Sequence, residues 1–135
     1  MSEIENILKL YDQIIEDNRI MSSDLKYALQ RKNDEIYIRT SEMFNQILIY
    51  MKNIGDKKPI LELKDFKKQA VMAGYIIKLS GKQIKIDDSN IRFDLYNIKK
   101  LQKLEVNSIS PLDVVEVEWE KGEQQVIYPD EFNNK

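Results

Sequence analysis

Apolar positions recur at helical intervals through the first half of the chain and at every second position in the second half. Ile4, Ile7, Leu8, Tyr11, Ile14 and Ile15 follow at helical intervals, and Ser2 with Glu5 has the spacing of a capping box. This pattern predicts an amphipathic helix over residues 3–18. Ser22 and Ser23 offer a fresh N-cap, and Leu25, Ala28 and Leu29 predict a short helix over 23–32 that Asn33-Asp34 breaks. Residues 35–40, Glu-Ile-Tyr-Ile-Arg-Thr, fit either a short strand or the start of one long helix. Met43, Phe44, Ile47, Leu48 and Met51 form the stripe of a third helix, capped by Ser41 and ended by Gly55. Leu63, Phe66 and Ala70 mark a fourth over 62–73, stopped by Gly74.

Beyond Gly74 the period is two. Tyr75, Ile77 and Leu79 alternate, Ser80-Gly81 reads as a turn, and Ile84 and Ile86 alternate again. Asp87-Asp88-Ser89-Asn90 is a turn cluster. Ile91, Phe93 and Leu95 mark a third strand, followed by a lysine-rich helical turn over 97–103. Val115, Val117 and Trp119 share a face of a fourth strand, and Glu120-Lys121-Gly122-Glu123 turns it into Val126 and Tyr128. The expected fold class is α+β: a helical N-terminal half of three to four helices, followed by a small antiparallel β-sheet. One domain is expected over 1–135, mainly helical over 1–73 and mainly β over 74–132.

Composition removes more chemistry than the motifs supply. The 135 residues include no histidine and no cysteine. The usual proton shuttle, thiol nucleophile and soft-metal ligands are therefore missing, and no triad, ordinary zinc site or disulfide can be built. The four glycines lie apart, so no phosphate-cradling loop is present. Asp87, Asp88 and Asp94 could gather a hard cation such as Mg²⁺, but turn chemistry accounts for the first two. The chain is accordingly expected to be no enzyme, with no catalytic residues, no metal and no cofactor. Its longest apolar stretch, Ile47 to Met51, is far below the ~20 residues a bilayer demands. Its acidic start lacks a hydrophobic signal core. A cytoplasmic location and no membrane partner are expected.

Charge is segregated along the chain. Residues 1–20 carry five acids and two bases (−3), residues 21–110 seventeen bases and eleven acids (+6), and residues 111–135 seven acids and two bases (−5). Such asymmetry bears on partners and association rates. Lys64, Lys67 and Lys68 lie on the fourth helix, and Lys78, Lys82 and Lys85 on the expected hairpin that follows. This stretch resembles the last helix and wing of a winged-helix DNA-binding domain, with residues 23–32 and 41–54 as the preceding helices. The resemblance implies lysines that neutralise phosphates and release counterions. A second expectation follows from alternation: if Ile84, Ile86, Ile91, Phe93 and Leu95 face the core, then Lys78, Lys85, Arg92 and Tyr96 stand outside together. The ribbon from Val114 to Pro129 is similar to part of an SH3-like barrel. Its glutamates, Glu116, Glu118, Glu120 and Glu123, resemble the charge pattern of proteins that mimic nucleic acid.

The expected function is non-enzymatic: a regulator or inhibitor that occupies the surface of a partner protein, as a phage- or plasmid-type accessory protein would. The alternative is a winged-helix-like DNA-binding regulator using the basic segment, and the third a small-ligand-binding protein. The residues expected to carry contact with protein or nucleic acid are Lys64, Lys67, Lys68, Lys78, Lys82, Lys85, Arg92 and Tyr96.

Overall fold

The helical half begins at the capping box. Ser2 Oγ accepts the Glu5 N–H at 3.2 Å, and Glu5 Oε1 accepts the Ser2 N–H at 3.1 Å. Two orphan donors are thereby satisfied reciprocally. Helix α1 (Glu3–Glu16) then buries Ile4, Ile7, Leu8, Tyr11 and Ile14. The computed structural model describes residues 2–57, 59 and 61–111. The expected strands over 114–128, Trp119 and the glutamates at 116, 118, 120 and 123 lie outside them.

The remaining elements are α2 (Ser22–Leu25), β1 (Leu29–Lys32), β2 (Glu35–Ile38), α3 (Thr40–Ile54), α4 (Leu63–Met72), β3 (Ile76–Ile86), β4 (Ser89–Tyr96) and α5 (Ile98–Lys103). The strands form one antiparallel sheet in the order β1-β2-β4-β3. The fold is α+β, with the helices mostly in the first half. No described helix is long and apolar enough to cross a membrane.

Two local expectations are corrected, and one left open is decided. The helix over 23–32 stops at Leu25, and Leu29–Lys32 is a strand instead. Asn33 and Asp34 both adopt positive φ, 51° and 64°, and close a tight hairpin in which Lys32 pairs with Glu35. This also settles residues 35–38 as strand. Ser80-Gly81 does not turn the chain. Ser80 has φ 51° inside a continuous β3, and the register against β4 shifts between Lys78 and Lys82, as a bulge requires. The turn falls at Asp87-Asp88, with φ 49° and 67°.

The sheet is apolar on both faces. Residues directly opposite in an antiparallel ladder share a face. Ile36, Ile38, Ile76 and Tyr96 lie on the face packed against α1, α3 and α4, in a core where Phe44 meets Phe66 edge-to-face at 5.2 Å. Tyr37, Ile84, Ile86 and Phe93 form a second cluster on the other face, with Tyr27, Ile91 and Leu95 packed against them. Ile84, Ile86, Ile91, Phe93 and Leu95 thus share one face as expected, but the helices cover the opposite face. Tyr96, expected outside, is 1% exposed because its partner Ile36 places it under the helices.

A candidate macromolecule-binding surface

Helix α4 presents its lysines because of what it buries. Phe66 and Ala70, four residues apart, are fully enclosed in the core, so Lys64 and Lys68 stand on the exposed side and Lys67 is half-buried. Gly74, at φ 84°, ends the helix and turns the chain into β3.

The sheet divides the other expected site residues. Gln83 pairs with Arg92 and Lys85 with Asn90, so Lys85 and Arg92 share the face on which α4 packs. Lys78 pairs with Leu95 and Lys82 with Phe93, which puts both on the second face. Lys78 and Lys85 therefore do not stand together, and Tyr96 is core. Lys64, Lys67, Lys68, Lys78, Lys82 and Lys85 form no ion pair with a described carboxylate. The helix-side set is Lys64, Lys67, Lys68, Lys85 and Arg92. Unpaired cations sharing one side of a domain raise a positive potential that attracts anions.

A buried carboxylate sets this surface. Asp94, 5% exposed, points to the helix side from β4. Its Oδ2 accepts from the Thr40 N–H at 3.3 Å and from Thr40 Oγ1 at 2.5 Å, and its Oδ1 accepts from the Ser80 N–H at 2.8 Å. Thr40 is the first residue of α3, whose N-cap Arg39 makes no side-chain cap. Asp94 thus supplies from a neighbouring strand what a cap residue would supply locally, at the positive end of the helix dipole. The same carboxylate fixes the bulge, whose Ser80 carbonyl accepts from Arg92 Nη1 at 3.4 Å. Thr40 Oγ1 lies 2.9 Å from Tyr96 Oη, and burial pushes the Tyr96 hydroxyl far above its usual value. That hydroxyl stays protonated.

The hairpin tip is held rather than free. Asp87 accepts from Tyr27 Oη at 2.5 Å and pairs with Lys26 Nζ at 2.9 Å. The Tyr27 hydrogen bond, then the Lys26 ammonium, holds the Asp87 carboxyl below its usual range. Asp87 and Asp94 are therefore engaged on different elements. Among the described residues no three carboxylates gather to hold a metal ion.

Sequence reasoning weighed Asp94 only for a cation and missed its hold on Thr40 and Ser80. Its signal was its place in the alternation, on the Arg92 and Tyr96 side of β4 rather than with Phe93. It also missed the exposed apolar residues flanking the lysines: Met72 is 77% exposed and Ile77 58%, with Val71 and Leu79 also outside. Elsewhere, a groove of about 550 Å³ lies between residues 19–24 and α3, lined by Met21, Ile49 and Tyr50 with Arg19, Asp24 and Glu42. Comparisons with protein-family models, with curated proteins and with solved structures return no match.

Proposed function

We propose that this chain is a non-enzymatic binding protein that engages duplex nucleic acid through α4 and the helix-side flank of the β3–β4 hairpin, as a regulator would. The observation that carries the reading is the connectivity. Helices α3 and α4 lie between β2 and β3, and β4 returns to pair between those two strands. A winged-helix domain is wired in this way, with its second helix presented to the major groove and the hairpin beside it. In this chain that helix carries Lys64, Lys67 and Lys68, and the hairpin flank facing the same side carries Lys85 and Arg92. Because the hairpin tip is acidic and bound to Lys26 and Tyr27, contact falls to α4 and the hairpin flank rather than to the tip. Phosphate neutralisation by these cations supplies affinity that weakens steeply with salt. A cytoplasmic location goes with this ligand.

A second reading has its own support. Met72, Ile77 and Leu79 leave apolar area beside the lysines, which suits a partner protein whose surface combines carboxylates with an apolar centre. The chain would then act by occupying that surface.

Fluorescence anisotropy with a random duplex separates the two. The first reading expects salt-dependent binding that is lost in the Lys64→Glu, Lys68→Glu, Lys85→Glu triple variant. The fold should persist, since exposed charges contribute little to stability. No duplex binding at low ionic strength would contradict the first reading and leave the second.

A further inference from the structure

The exposed face of helix α3 differs in kind from those of α1 and α4. The exposed residues of α1 include Lys9 and Glu16, and those of α4 include Lys64, Asp65 and Lys68. From Met43 to Met51, α3 carries no charged residue, and its exposed residues there are Asn45, Leu48 and Ile49. Glu42 and Lys52 bound this interval, and neither forms an ion pair with a described residue. The groove of about 550 Å³ beside the helix is bordered by Met21, Ile49 and Ile54, each more than half exposed. Large apolar side chains left outside around one groove mark an interaction surface.

The groove is built before anything enters it. Gln46 Nε2 donates to the Asp24 carbonyl at 3.0 Å, and Gln46 Oε1 accepts from Tyr11 Oη at 2.6 Å. The buried Gln46 side chain thereby ties the wall formed by residues 19–24 to α3 and α1. A wall held in this way loses little freedom when an occupant docks.

We propose that the occupant is α3 of a second copy of this chain, packed antiparallel across a two-fold axis at the level of Ile47. The charge pattern selects this occupant, because reversing its direction makes it its own complement. Glu42 and Lys52 each lie five residues from Ile47, or about 7.5 Å along the helix axis. The two-fold axis therefore sets Glu42 of one protomer beside Lys52 of its partner, twice per dimer. Asn45 and Ile49, two residues either side of Ile47, meet at the centre, where the ridge of each α3 enters the groove of the other. A parallel pair would instead set Glu42 against Glu42 and Lys52 against Lys52. Antiparallel packing also opposes the two helix dipoles. The apolar ridge supplies the affinity, and the rim charges fix direction and register. This face is not the α4 surface, so dimerisation requires no nucleic acid.

Sedimentation of the full-length chain alone, over a wide range of concentration, should show a reversible monomer–dimer equilibrium. Ile49→Glu should sediment as monomer with the far-UV spectrum of the wild type. Glu42→Lys and Lys52→Glu should each raise the dissociation constant by about tenfold or more, since each brings like charges together at both rims. Mixing these two variants should restore association as a heterodimer, because opposite charges then meet again at both rims. Three results would overturn the proposal: a monomer at every concentration, a dimer indifferent to Ile49→Glu or to the charge reversals, or reversed chains that stay apart when mixed. No nucleic acid enters these measurements, so their outcome is independent of the duplex-binding reading.

Discussion

The Asp94 carboxylate accepts from Ser80 through one oxygen and from Thr40 through the other, so an amide at this position cannot serve both. Asp94→Asn leaves a buried donor facing an NH₂ group and should cost about 1–3 kcal/mol, with Asp94→Ala costing more. Urea unfolding at unchanged m would read the loss as stability rather than as a change in denatured-state compactness. Asp12 is a different case. Burial pushes its carboxyl above the usual range, against the pull of the Ile109 and Ser108 N–H groups and of Lys9. The folded state therefore holds this proton more tightly than the unfolded chain does. Its contribution to stability declines as pH rises from the ordinary carboxyl value, about 4, through the raised one. Asp12→Asn keeps an acceptor for both N–H groups and removes the ionisation. The stability of wild type relative to this variant should thus fall as pH climbs through that window. Asp12→Ala, which frees both donors, should lose on the order of 1–2 kcal/mol on either side of the window.

Among the elements, those with a long apolar stripe were legible from the chain alone. Helices α1, α3 and α4 begin and end close to where their stripes and caps place them, and Gly55 closes α3 at φ 71°. A Cβ at Gly55 would meet nothing within 4 Å, so Gly55→Ala isolates backbone strain. It should lower stability by about 1–2 kcal/mol in thermal or urea unfolding, with Gly55→Asn costing less. The short β1–β2 hairpin was not legible. Its strands have four residues each, and Leu25, Ala28 and Leu29 also fit a helical period. What makes Ile36–Ile38 a strand is pairing with Asp94–Tyr96, far along the chain, which no local window contains. Ser80-Gly81 has turn chemistry but is used as a bulge, because Asp94 and Arg92 capture the Ser80 N–H and carbonyl within an uninterrupted β3. The bulge also disrupts the exposed edge that β3 would offer to another strand. The candidate site divided in the same manner. The exposure of Lys64 and Lys68 followed from Phe66 and Ala70, whereas the separation of Lys78 and Lys82 from Lys85 and Arg92 depended on the register.

At the scale of the molecule, the sheet sorts the basic residues into two sets on opposite faces. Cations on the helix side stand with α4, on the surface proposed to meet duplex nucleic acid. Lys78 and Lys82 on the far side stand beside the apolar cluster of Tyr37, Ile84, Ile86 and Phe93. On this account the net charge of −2 conceals a cationic surface left open on the helix side. Counterion release gives the most direct test of the open surface, because it counts phosphate contacts instead of inferring them from affinity alone. The slope of log K against log salt should be measured for a random duplex with the wild type and with Lys64→Gln, Lys68→Gln and Lys85→Gln singly. Each variant should flatten the slope by about 0.9, and Lys52→Gln on α3 should leave it unchanged. Equal slopes in all five proteins, or no duplex binding at low salt, would contradict the account.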